Sequence, residues 1–282
     1  MRTIRDFFLK PWLYVLVITI GVALKFYHLD SKLFWMDEVS TVLYTSGSNN
    51  VIIQKNIPVN QIRGFGYYDS LLHVSTQPKS FKSEVAGILS GIHLTPAHYI
   101  ILTVWYRLVG DDDMHYRLFS VCIFMLSLPL VFLLAKALYN SVLAGWISAS
   151  LYAVSPFVQF ESQEARYYIL WVFFFLLTNY LLLKALKNNR AIWWICYWIA
   201  AVFALYTSIT SGAFIFGHML YIVVYKKESL FKFGIALLFI GLAYSPWMYF
   251  LFTHREGIQS GLAWHKYLTT SLFPFDLLFF SC

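Results

Sequence analysis

The chain has 282 residues, of which 59% are hydrophobic, 20% aromatic and only 12% charged. That is too few charges to cover a soluble globule of this length, and several apolar runs reach the ~20 residues that cross a bilayer. The net charge of +7 does not indicate a nucleic-acid partner, because the Lys and Arg residues lie between apolar runs rather than along one stripe.

In chain order, Arg2, Arg5 and Lys10 precede the first apolar run, residues 11–29. No small-residue cleavage site follows, so this run reads as an uncleaved anchor. Lys25, near its outer end, is expected to snorkel outward. Residues 30–117 form a long mixed region holding one further apolar run, 94–109. Six more runs follow: 118–139, 142–160, 167–186, 191–209, 211–225 and 233–252. The pattern predicts an all-α polytopic membrane protein of about seven transmembrane helices, with a long outer first loop carrying interfacial helices. Cys122 and Cys196 fall inside apolar runs and Cys282 is terminal, so neither a disulfide framework nor a metal-ligand spacing can be read.

The orientation turns on residues 94–109. If that run crossed, Lys136 and the basic connectors Lys184–Lys187–Arg190 and Lys226–Lys227–Lys232 would all face outward, against the positive-inside bias. Its modest length, with His98, Thr103 and Arg107 inside it, favours a helix lying along the surface. The basic connectors then face the cytoplasm with the N-terminus. Asp37, Glu38, His93, Arg117, Glu164, Arg166 and the turn at 207–211 collect on the outer face.

Three stretches carry candidate chemistry. Residues 31–40 read SKLFWMDEVS, with adjacent carboxylates Asp37 and Glu38 behind Phe34 and Trp35, where the first run leaves the membrane. Trp at that depth anchors at the interface, and a part-desolvated carboxylate can act as a base. Alone, the stretch reads better as a solvated loop start. Residues 155–168 read SPFVQFESQEARYY: Pro156 ends a run, and Glu161, Glu164 and Arg166 precede the next. Arg supplies a fixed fork of donors suited to phosphate, although such a loop is also an ordinary interfacial cap. Residues 93–99 read HLTPAHY, and His93 and His98 at a helix start are expected to be capping or satisfied residues. Asp111–Asp112–Asp113 contains a D-x-D, a pattern that bridges metal and nucleotide sugar, but reads better as a solvated helix end.

Together these stretches resemble a family. A first span followed by W-x-D-E, an outer loop with an H-x-x-P helix, an R-x-x-S motif (Arg117, Ser120) and then S-Q-E-A-R-x-Y is similar to the lipid-linked-sugar glycosyltransferases of the GT-C fold. The nearest branch holds the protein O-mannosyltransferase and aminoarabinose-transferase-like enzymes. The resemblance covers nearly the whole chain, and by that pattern residues 1–282 correspond to a single transmembrane glycosyltransferase module without the family's C-terminal half. It implies inverting transfer of a sugar from a polyprenyl-phosphate donor to a protein, glycan or lipid acceptor. Asp37 would be the base with Glu38 beside it. Trp35, His93, Arg117, Glu164, Arg166 and Tyr167 would line the donor-phosphate and acceptor cleft, among membrane lipids. The resemblance fixes no cofactor, and no nucleotide-binding domain is needed. A divalent metal at Asp37 or Glu38 is compatible with two carboxylates but has no ligand spacing behind it.

Two other classes fit less well or less specifically. A transporter places ionisable residues inside its spans, whereas the runs from residue 118 onward carry none but His218 in their interiors. A non-catalytic or truncated membrane subunit would share every feature above.

Overall fold

The computed structural model describes residues 10–46, 80–90 and 95–253. Among them lie eleven α-helices: α1 (Pro11–Phe26), α2 (Met36–Thr45), α3 (Phe81–Ser90), α4 (Pro96–Val109), α5 (Asp113–Tyr139), α6 (Val142–Val154), α7 (Pro156–Ser162), α8 (Tyr168–Asn188), α9 (Ala191–Thr207), α10 (Ser211–Tyr225) and α11 (Leu230–Thr253). The fold is all-α and that of a membrane protein. In hydrocarbon every backbone N–H and C=O must be satisfied within its own segment, and a helix does this for an apolar sequence.

Each of the seven expected runs is helical, 142–160 as two helices, but not each is long enough to cross. Asp113–Tyr139, Tyr168–Asn188 and Lys227–Thr253 have the length and hydropathy of spans, and α6 with α7 makes a fourth if that bent pair counts as one. The helices α1, α9 and α10 have 16, 17 and 15 residues, short of the ~20 that a bilayer core requires. The count of seven spans is therefore not carried by helix length. The 60° bend between α6 and α7 has a local cause. Ser155 is extended at ψ 125°, its hydroxyl accepts from Val158 N, and Pro156 takes the first helical position, where its missing N–H costs nothing.

The long helices alternate in direction. Gln163 donates to the carbonyls of Leu24, Lys25 and Tyr27, which ties the end of α1 to the start of α8. Trp171 Nε1 donates to Ser211 Oγ at 2.9 Å, joining the starts of α8 and α10. Thr95 Oγ1 donates to Thr207 O at 2.6 Å, seating the start of α4 at the end of α9. At the other pole Lys232 donates to Asn189. One end of the bundle thus holds Asp37, Glu38, Arg117, Glu164 and Arg166, and the other holds Lys136, Lys184, Lys187 and Lys226.

Helix α4 has 14 residues, about 21 Å. It packs its buried face (Ala97, His98, Tyr99, Leu102, Thr103, Tyr106) among α2, α3, α5 and α9 at the first of these ends. Val42, Leu102, Tyr116, Phe119, Ala165 and Leu170 join there in one apolar cluster, so α2 and α4 are seated on the bundle. Lys25 departs from expectation. It is fully buried with its ammonium 4.8 Å from the Phe124 ring centre, and Nζ has no hydrogen-bond partner among the described residues. Gly21, one turn earlier on the same stripe, lies so close to α6 that a Cβ there would sit 2.6 Å from Ala153 O. That close approach turns the stripe into the bundle and takes Lys25 with it.

Candidate active site

The site is built on the first turn of α2. Trp35 is extended at its N-cap, and Asp37 and Glu38 fall in the first turn, where carboxylates complement the positive end of the helix dipole. Neighbouring helical residues point about 100° apart, so the two carboxylates part company. Each meets its own arginine.

Glu38 points inward. Its carboxylate takes Arg117 Nε at 2.9 Å and Nη2 at 2.8 Å, and also accepts the Ala165 backbone N–H at 3.0 Å. The side chains of Arg117 and Glu38 are 1% and 2% exposed. Arg117 further donates to the carbonyls of Leu29, Lys32 and Leu33, so each of its five N–H groups has an acceptor. The guanidinium also stands 4.8 Å from the Phe34 ring centre. Ser120, one turn along α5, donates to Glu164 O at 2.6 Å. The R-x-x-S spacing therefore clamps residues 29–33 with one side chain and residue 164 with the other. Lys32 Nζ adds a bond to Gln163 Oε1 at 2.8 Å.

Asp37 points outward, 35% exposed, and its Oδ2 lies 3.1 Å from Arg166 Nη2. Arg166 is less fully used than Arg117. It reaches Asp37 O at 3.3 Å and the Tyr168 hydroxyl at 3.4 Å, both long, and Nε is buried with no partner among the described residues. Trp35, Tyr167 and Tyr168 surround its guanidinium at 5.4–5.9 Å, a cation–π setting. Glu164, 7% exposed, is pushed up to about 7 by burial first and then by Glu38 and Glu161, with Trp35 and Arg166 opposing. Its Oε2 is buried without a partner among the described residues. Burial likewise pushes the Tyr167 phenol up to about 12.

The structure thus brings Trp35, Asp37, Glu38, Arg117, Glu164, Arg166 and Tyr167 to one place, from segments up to 130 residues apart in sequence. His93 lies outside the described residues. His98, expected to be a capping or satisfied residue, is neither. It is fully buried against Tyr99, Phe119 and Tyr167, both ring nitrogens lack a partner among the described residues, and burial followed by Arg166 holds its pKa down at about 3. The neutral ring adds no charge beside Arg166. Gln163 and Lys32 tie the site together without having been singled out. Gln163 sits inside the S-Q-E-A-R stretch, but sequence alone does not say that its amide spans three carbonyls at the end of α1. Among the described residues no three of His, Cys, Asp and Glu converge as a metal site.

Residues 93–250, more than half of the chain, match the sequence profile of the dolichyl-phosphate-mannose-protein mannosyltransferases. The chain belongs to that family. Its members are membrane glycosyltransferases that use a lipid-linked sugar, with the GT-C architecture. The matched segment contains Arg117, Glu164, Arg166 and Tyr167 but not Trp35, Asp37 and Glu38; the two carboxylate residues are joined to it by the hydrogen bonds above and Trp35 by its ring contact with Arg166. No curated protein and no solved structure matches the chain.

Proposed function

We propose that this chain moves a sugar from a polyprenyl-phosphate donor to an acceptor hydroxyl or amine at the outer membrane face, with inversion at the anomeric carbon. The observation that carries the reading is the inequality of the two ion pairs: one saturated and buried, the other part-exposed beside aromatic rings with donor capacity to spare. In the proposed step the acceptor heteroatom attacks the anomeric carbon as the bond from that carbon to the phosphate oxygen breaks. The acceptor proton passes to Asp37, and the departing lipid phosphate keeps the electron pair. Arg166 receives that developing charge. A phosphate on Arg166 competes with Asp37 for the same donors, so donor binding releases the carboxylate to act as base. Glu164, held near neutrality, can stand close to the phosphate in its protonated form with little repulsion. Arg117 and Glu38 take the role of positioning residues that hold the segment carrying Trp35 and Asp37.

An apolar groove of about 570 Å³ between α4, α9 and α11, lined by Pro96, Ala97, Ile100, Val202 and Trp247 among others, supports a prenyl chain beside the site. It begins at the residues that precede His98.

The test is single-turnover transfer from a synthetic polyprenyl-phosphate sugar, with donor binding followed separately. A positioned base supplies ~10²–10⁴-fold, so Asp37→Asn is expected to lose about that factor in transfer while binding donor nearly as well as wild type. Loss of donor binding together with transfer would make Asp37 a structural group and remove the base from this scheme.

A further inference from the structure

At the end of the bundle opposite the site, a cavity of about 620 Å³ opens between α5, α6, α8 and α10. Four lysines line it: Lys136 of α5, Lys184 and Lys187 of α8, and Lys226 just beyond α10. No carboxylate is among its lining residues. Lys226 has Glu228 at 3.9 Å, an exposed and long pairing. Lys184 is held over the rings of Tyr180 and Trp193 at 5.3 and 5.9 Å, a contact that uses none of its ammonium protons in a hydrogen bond to an oxygen acceptor. Single lysines at helix C-termini answer the helix dipole. Four of them around one shared cavity repel one another, and an anion placed between them relieves that repulsion.

The remainder of the lining says what kind of anion fits. Asn140 and Ser141 form the turn between α5 and α6 at the rim. Ser141 Oγ caps α6 by accepting from Ala144 N, so its hydroxyl hydrogen can still be donated. Below the rim the wall is apolar, with Leu133, Leu183 and Leu186, while Tyr180 and Tyr221 give it amphipathic edges suited to the headgroup level. A small soluble anion would leave that apolar wall in water. An amphiphile whose phosphate meets the lysines and whose first methylenes cover the leucines uses both surfaces.

We propose that this cavity is a binding site for the phosphate headgroup of an anionic phospholipid in the leaflet opposite the candidate active site. Basic pockets between membrane helices gain both from the local charge and from the negative surface potential of an anionic leaflet. The site is independent of the transfer chemistry. Its occupant would hold the ends of α5, α8 and α10 together, the same helices whose other ends carry Arg117, Arg166 and Ser211.

The test uses the full chain in nanodiscs of phosphatidylcholine with increasing phosphatidylglycerol, reading the thermal midpoint and, by native mass spectrometry, the lipid retained. Wild type is expected to be stabilised by phosphatidylglycerol and to keep it through detergent release. The variant Lys136→Gln/Lys184→Gln/Lys187→Gln/Lys226→Gln is expected to lose that preference by about tenfold or more. Replacing the same four by Arg should retain it. Arg190→Gln/Lys227→Gln, which removes two charges at the same end but outside the cavity, should leave it unchanged. If the fourfold Gln variant does not fold, the pair Lys136→Gln/Lys187→Gln, both on exposed side chains, is expected to show a smaller loss of the same sign. Equal loss in the control pair, an unchanged preference in the cavity variants, or equal stabilisation by inorganic phosphate alone would each overturn the proposal.

Discussion

Asp37 and Glu38 are adjacent in sequence, chemically alike and each paired with an arginine, yet their surroundings differ in almost every respect. The Glu38–Arg117 pair is nearly inaccessible, bidentate and complete, with all five guanidinium donors and a backbone amide from residue 165 engaged. The Asp37–Arg166 pair is single-pronged, part-exposed and incomplete, with one donor unpaired among the described residues and two long bonds. An ion pair that satisfies everything holds a shape. One that leaves capacity at an exposed edge can exchange partners, as a site that must accept and release a phosphate has to do.

The sharpest way to break the comparison is to open the closed pair. Arg117→Ala leaves Glu38 buried without its cation and frees residues 29–33, and removal of one member of a buried pair costs about 3–5 kcal/mol. The thermal midpoint of the protein in detergent is expected to fall accordingly, with transfer lost as a consequence of misplacing Trp35 and Asp37. A variant with unaltered stability and selectively weakened donor binding would show that Arg117 contacts substrate after all.

Next comes the open pair. Arg166→Lys keeps the charge but not the fork of donors, so transfer is expected to drop roughly 10–100-fold while stability changes little. Wild-type transfer in the lysine variant would leave Arg166 as an interfacial cap.

The smallest effect concerns Glu164, which lies between the two pairs. Its folded pKa is raised to about 7 from the ordinary 4.5. The folded state therefore binds its proton more tightly than the unfolded chain. The stability from the neutral carboxyl is full below about pH 4.5 and is lost as pH rises through about 7. Unfolding free energy measured at pH 5 and pH 8 should decline by about 1–2 kcal/mol in wild type through this group, and Glu164→Gln should flatten that slope. An identical pH slope in the variant would assign the titration elsewhere.

Much of this molecule is determined by its sequence alone, because the relevant physics is local. Long apolar runs must be helical in a bilayer, Ser155–Pro156 must interrupt one, and Asp37–Glu38 and S-Q-E-A-R fall at the ends of apolar runs where charge is tolerated. Those facts yield the fold class, the family and a short list of residues. The list could not be ranked from the same source. Arg117 and Arg166 look interchangeable as written, and their difference rests on counting acceptors, most of them contributed by residues 79 to 129 positions away. Lys25 could equally snorkel or be drawn inward, and the closeness of Gly21 to Ala153 decides it. His98 resembles a helix cap until Tyr99, Phe119 and Tyr167 close around its ring. Hydrogen-bond saturation and burial belong to the packed helices together, and no single apolar run or motif contains them. For that reason the tertiary structure alone separates the arginine that holds this site from the one with donors left to offer.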